Sequence, residues 1–200
     1  MTWEILNIIG TVAFAISGAI IAMEEEYDIL GVYILGFTTA FGGGTIRNVL
    51  IGIPMEMIWQ QERLFTICFV AITIILILPT FWLEYWHRWG VFFDAIGLSA
   101  FAIQGALSAL DVDASLSAIV VAATLTGVGG GMLRDILAGR KPMIFQKDIY
   151  ALWAALAGLM IGLGLVNGPI TTALLFLLIV TLRMCSVYFK WTLPKMHWNR

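Results

Sequence analysis

The sequence predicts an all-α integral membrane protein of seven transmembrane helices, built as two inverted three-helix repeats with a seventh helix added, a 3+3+1 plan. Three observations carry this. Of 200 residues, 60% are hydrophobic and 12% charged, with a mean hydropathy of +0.94, whereas soluble domains run near 45–50% apolar and about 25% charged. The apolar residues form continuous runs long enough to cross about 30 Å of hydrocarbon, not the alternating ten-residue pattern of membrane strands. The first half of the chain also recurs in the second at a constant offset of 87 residues. A net charge of -2, a pI of about 5.6 and only two cysteines exclude a disordered chain, a disulfide scaffold and a basic nucleic-acid binder. Cys68 and Cys185 lie inside apolar runs and are expected to pack as small hydrophobes.

The elements follow in order. Residues 5–23 form the first span; the segment before it carries Glu4 and no Lys or Arg, the wrong charge for a secretory signal peptide, so the span is expected to be retained. The acidic loop Glu24, Glu25, Glu26 and Asp28 leads into span two, 29–50, and Glu56, Glu62 and Arg63 mark the connection to span three, 64–83. Glu84, His87 and Arg88 are read as the loop before span four, 91–110, and Asp111 and Asp113 as the loop before span five, 116–137. Arg140, Lys141, Lys147 and Asp148 precede span six, 149–166, and Asn167, Gly168 and Pro169 precede span seven, 170–187. The first repeat is thus 1–86, the second 87–168, and 169–200 holds the seventh helix and a short tail.

Loops after the first, third and fifth spans share a side with the C-terminus. That side holds Arg88, Arg140, Lys141, Lys147, Lys190, Lys195 and Arg200, and the opposite side only Arg63. The positive-inside rule then expects a cytoplasmic C-terminus and an external N-terminus. Trp82, Trp86, Trp89, Trp191 and Trp198 fall near span ends, where interfacial anchors belong.

The repeat is read from two segments. Residues 9–19 match 96–106 at eight of eleven positions, and the same offset aligns Gly42-Gly43-Gly44-Thr45-Ile46-Arg47-Asn48 with Gly129-Gly130-Gly131-Met132-Leu133-Arg134-Asp135. An odd number of spans per repeat inverts the second copy, the architecture in which solute pathways run between repeats near the midplane.

Glycine costs about 1 kcal/mol relative to alanine in a helix interior. The triplets are therefore expected to break or kink spans two and five at membrane depth, where irregular backbone is tolerated only against protein or a water-filled cavity. The plainer alternative is close helix packing. Arg47 and Arg134 each stand three residues beyond a triplet; an arginine at that depth faces the bundle interior, a wet cavity or a carboxylate, and pairing with Asp135 or Asp94, or snorkelling, stands beside a solute-facing role. Two further repeat-related pairs are polar, Asn7 with Asp94 and Ser17 with Gln104; Ser17, Gln104 and Asp94 are candidate pathway lining, with an interfacial Asp94 or a helix-tying Gln104 as the structural alternatives. Arg183 is expected to snorkel toward the cytoplasm. His87 and His197 belong to a loop and the tail. No cluster has metal-ligand spacing and no nucleophile has a neighbouring base, so neither a metal site, a cofactor nor an enzyme is expected.

These motifs resemble the prokaryotic trimeric intracellular cation channel family, whose bacterial members also carry the label glycine transporter. The resemblance covers nearly the whole chain, including Gly-Gly-Gly-x-x-Arg in spans two and five and its continuation through Gly52 and Gly139. It implies a homotrimer in a prokaryotic plasma membrane with one pore per subunit, bounded by spans two and five, passing potassium and, less selectively, sodium. The family pattern has Asp where Asn48 stands, so a symmetric Arg-Asp pairing is broken in the first repeat; the Lys-Glu-Val motif of the animal channels is absent, so their gating does not transfer. Three hypotheses follow: a passive monovalent-cation channel, a secondary transporter of a small solute such as glycine, which explains the arginines better, and a structural protein without flux. Resemblance favours the channel.

Overall fold

The computed structural model describes the backbone at 2–145 and 149–192 and, within these, side chains other than those at 2, 3 and 79–89. Trp82, Trp86, His87, Arg88 and Trp89 as side chains, and Lys147, Lys195, His197, Trp198 and Arg200 altogether, lie outside the described residues. The described residues form eight α-helices and one short 3-10 turn at Met143–Phe145, with no strand. In order the helices are α1 (Thr2–Glu24), α2 (Ile29–Ile51), α3 (Glu56–Trp59), α4 (Glu62–Ile77), α5 (Pro79–Leu110), α6 (Leu116–Leu137), α7 (Ala151–Gly162) and α8 (Pro169–Tyr188).

Local chemistry sets the boundaries. The Asp28 carboxylate accepts the Gly31 N–H at 2.7 Å and starts α2, and Ser115 occupies the same capping position before α6. Gly52 and Gly139, related by the repeat, follow α2 and α6 with φ of +73° and +69°, a left-handed conformation that favours glycine. Pro169 opens α8 at its first position.

Five stretches are long and apolar enough to cross a membrane: Glu4–Glu24, Ile29–Ile51, Gly90–Leu110, Leu116–Leu137 and Pro169–Tyr188. The third expected span is shorter than 64–83. Pro79 lacks the N–H that would continue α4 and instead begins α5, leaving α4 with 16 residues, about 24 Å of helix. The loop expected at 84–90 is instead helical, since α5 runs unbroken from Pro79 to Leu110. The sixth expected span, 149–166, contracts to α7, 12 residues ending before the left-handed Gly164. The short α3 has no counterpart in the sequence reading.

The interior divides by halves. Ile16, Ile20, Val32, Leu35, Cys68, Ile72 and Ile75 join α1, α2 and α4; Leu98, Ile103, Ile119, Val128, Ala154, Ile161 and Ile179 join α5 to α8. Cys68 packs there as the small hydrophobe expected. Exposed Ile29, Ile34, Phe69, Ile77, Ile170, Leu174 and Leu177 form an apolar outer surface.

Contacts between the halves are reciprocal. A Cβ built at Gly97 would lie 2.2 Å from the Phe14 ring, and one at Gly10 would lie 3.2 Å from the Phe101 ring; the two rings meet at 5.2 Å. These are the same two repeat positions with their roles exchanged, as a pseudo-two-fold requires. The glycine triplets obey the same rule. Both helices run through them without interruption, so the expected break is absent. Here α2 and α6 pack backbone to backbone: a Cβ at Gly43 would fall 2.3 Å from the Thr126 carbonyl oxygen and one at Gly130 2.2 Å from that of Thr39. Tertiary packing overrides the propensity cost, and the packing alternative describes what the triplets do.

Candidate functional site

Each half carries a buried arginine one turn beyond its triplet. Arg134 is 3% exposed. Its Nε donates to Asp135 Oδ1 at 2.8 Å, its Nη2 lies 2.7 Å from the same oxygen, and its Nη1 reaches Ser17 Oγ and, at 3.3 Å, Asp94 Oδ1. The second Asp135 oxygen accepts the Met143 N–H at 3.0 Å, so the short turn after α6 holds the carboxylate in place. Asp94 is 2% exposed, which replaces the interfacial position considered for it with a buried ion pair.

Arg47 repeats this geometry with a neutral partner. Its Nε and Nη2 donate to Asn48 Oδ1 at 3.0 and 2.7 Å, so the amide oxygen stands where Asp135 offers a carboxylate. Asn7 and Gln104, the counterparts of Asp94 and Ser17, line a small cavity with Arg47. The two sites therefore share a frame and differ in charge: one guanidinium meets two carboxylates, the other an amide dipole.

The sites open to different cavities. One, of about 420 Å³, is lined by Ile21, Glu24, Gly90, Asp94, Arg134 and Arg140. The other side has the small cavity at Arg47, about 20 Å³, beside one of about 330 Å³ lined by Glu4, Asn7, Gln60, Gln61 and Arg63. Along α1, Asn7 and Thr11 serve one end and Ile21 and Glu24 the other, and the turn between them holds Phe14 and Ser17, both fully buried.

In the lining of the larger cavity, Arg140 Nη1 lies 2.9 Å from Glu24 Oε2, and Arg140 Nε donates to Glu25 Oε1 at 2.5 Å. Tyr27 Oη donates to the Leu137 carbonyl at 2.7 Å. These bonds tie the loop after α1 to the end of α6. Burial disfavours the Arg140 guanidinium, but its bonds to Glu25 and Glu24 outweigh that and raise its pKa above the ordinary arginine value.

Arg183 does not snorkel. It is fully buried, with its guanidinium carbon 4.8 Å from the centre of the Tyr150 ring, a cation-π distance. Tyr150 in turn lies in the field of Asp94 and Arg134. Its role is invisible in the sequence, where it sits between a basic loop and an apolar run. Thr39 and Thr126 donate to the carbonyls of Leu35 and Ala122 at 2.6 Å each; their one signal in the sequence is that they are identical residues at the repeat offset.

A bundle of apolar helices with reciprocal contacts between its halves and two buried arginine sites at repeat-related positions defines an internally duplicated helical membrane protein. The chain belongs to the family described as glycine transporter, whose model matches it twice, at residues 4–80 and 91–166, with starts separated by the repeat offset. It is 56% identical over 194 residues to the UPF0126 membrane protein YvgT of Bacillus subtilis, covering 97% of this chain and 96% of that one. A structure determined to explain conductance through TRIC cation channels is 35% identical, with a TM-score of 0.86 and full coverage of both chains. The TRIC trimeric intracellular cation channel orthologue from Rhodobacter sphaeroides is 28% identical, with a TM-score of 0.86, over 94% of this chain and 98% of that one.

Proposed function

We propose that this chain is a monovalent-cation channel rather than an enzyme, passing potassium and, less selectively, sodium. The observation that carries the reading is the full-length likeness to a TRIC cation channel at 35% identity. In this reading α1, α2 and α4 form the first repeat (1–86), residues 87–168 the inverted second, and α8 the seventh span with its tail (169–200), giving 3+3+1. Three copies assemble in a prokaryotic plasma membrane with the N-terminus outside, each with its own path bounded by α2 and α6. Gly42, Gly43, Gly44, Gly129, Gly130 and Gly131 hold those helices together; Arg47, Asn48, Arg134, Asp135 and Asp94 set the field at the two ends, with Ser17 and Gln104 as polar lining. Conduction requires the buried turn at Phe14 and Ser17 to move, because that turn separates the cavities at the two ends of α1.

A second reading, a secondary transporter of a small solute such as glycine, is favoured by that same separation, since cavities on either side of a barrier suit alternating access. Planar-bilayer recording in asymmetric KCl with no other solute separates the two. Discrete steps with a cation-selective reversal potential support the channel; silence at verified reconstitution, followed by saturable uptake of radiolabelled glycine into vesicles, supports the transporter.

A further inference from the structure

Arg47 is 6% exposed, and its Nη1 is buried without a hydrogen-bond partner. Leaving a charged buried donor unmet is costly. The repeat supplies the comparison: at the equivalent position Arg134 Nη1 meets Ser17 Oγ and Asp94 Oδ1. The counterparts of those two residues, Gln104 and Asn7, are both neutral and both line the cavity against Arg47. That cavity of about 20 Å³ holds one water-sized guest, which needs roughly 10–15 Å³. It shares Asn7 and Gln61 with the larger cavity bordered by Glu4 and Arg63.

We propose that this cavity binds one small monovalent inorganic anion, of chloride size, at Arg47 Nη1, in the place that the Asp94 carboxylate takes in the second repeat. Every polar side chain lining the cavity other than Arg47 is an uncharged one capable of donating: Asn7, Thr11, Gln61 and Gln104. A water molecule would accept the bond but leave the guanidinium charge unbalanced; a halide does both. The proposal concerns equilibrium binding and stands whether the chain conducts or transports.

The test is thermal unfolding of the purified full chain in detergent, with sodium gluconate replaced stepwise by sodium chloride and then by sodium bromide at fixed ionic strength, so that general screening is constant. Ligand that binds only the folded state raises the midpoint in a saturable way. Wild type is expected to gain a few degrees with either halide. Arg47→Gln is expected to show no response. Asn7→Asp, which provides a carboxylate from the chain itself at the repeat-equivalent position, is expected to fold and to lose the halide response. A wild-type midpoint indifferent to halide overturns the proposal, as does an undiminished halide response in Asn7→Asp; that second variant decides the matter if Arg47→Gln does not fold.

Discussion

Gly43 on α2 and Gly130 on α6 are each pressed against a carbonyl of the opposite helix, that of Thr126 and that of Thr39, at a separation that leaves no room for a methyl group. The crossing is made twice, once by each repeat. It joins the two halves of the chain backbone to backbone, and it lies one turn from both buried arginines.

Enlarging either residue forces the helices apart. Gly43→Ala and Gly130→Ala are each expected to destabilise the protein by about 1–3 kcal/mol, the usual cost of overpacking. Gly44→Ala, whose new methyl would find only Arg47 Nη2 at 3.7 Å, is expected to be neutral or slightly stabilising. Thermal unfolding followed by tryptophan fluorescence checks all three, and equal midpoints for Gly43→Ala and Gly44→Ala would count against the backbone contact.

Arg134, itself 3% exposed, is held by two carboxylates that are 2% and 4% exposed, and replacing the arginine leaves both buried without their shared countercharge. Breaking such a pair costs about 3–5 kcal/mol. Arg134→Ala is therefore expected to lower both stability and the yield of assembled protein, not flux alone. Size-exclusion chromatography of detergent extracts reads the yield; normal assembly with altered flux would instead assign this residue wholly to the pathway.

Asn48→Asp restores to the first repeat the carboxylate found in the second, with nearly unchanged shape. Hydrogen bonds to a charged acceptor contribute about 1 kcal/mol more than those to a neutral one, so stability is expected to rise by about that amount. In bilayers the variant is expected to pass cations more readily than wild type, because the field at Arg47 is reduced. A drop in cation conductance relative to wild type would contradict the electrostatic reading of that end.

The Arg140 bridge is partly exposed, so by itself it contributes little to stability, about 0–1 kcal/mol. Two of its members, Glu24 and Arg140, nevertheless line the 420 Å³ cavity. The double variant Glu24→Gln/Glu25→Gln is expected to shift the unfolding midpoint by no more than a degree or two and to raise steady-state flux. Vesicle flux assays at low and high salt test this; the wild-type flux is expected to rise with salt, which screens the bridge, and the variant flux to stay level.

Much of this organisation was legible in the sequence because it is written one residue at a time. The five long spans follow from runs of apolar residues and the repeat from identity at a constant offset; the family resemblance adds that an Arg-Asp pairing is broken where Asn48 stands, without showing that the Asn48 amide takes the carboxylate's place. What escaped depends on a partner remote in the chain. A glycine triplet reads as a weak point until a second triplet is laid against it at van der Waals distance. Arg183 reads as a headgroup anchor until Tyr150, far away in sequence, is brought beneath it. Pro79, by contrast, stood in plain view, and its ring marks the end of α4 for a reason internal to the backbone.

The two arginine sites, alike in frame and unlike in charge, make the ends of the proposed pathway inequivalent. A cation entering beside Arg47 meets a guanidinium answered by no carboxylate among the described residues, while one entering beside Arg134 meets a guanidinium answered by two, Asp94 and Asp135. Two identical ends would give a straight current-voltage relation. The proposed channel is therefore expected to rectify: in bilayers at equal salt on both sides, current driven in one direction should exceed current driven in the other.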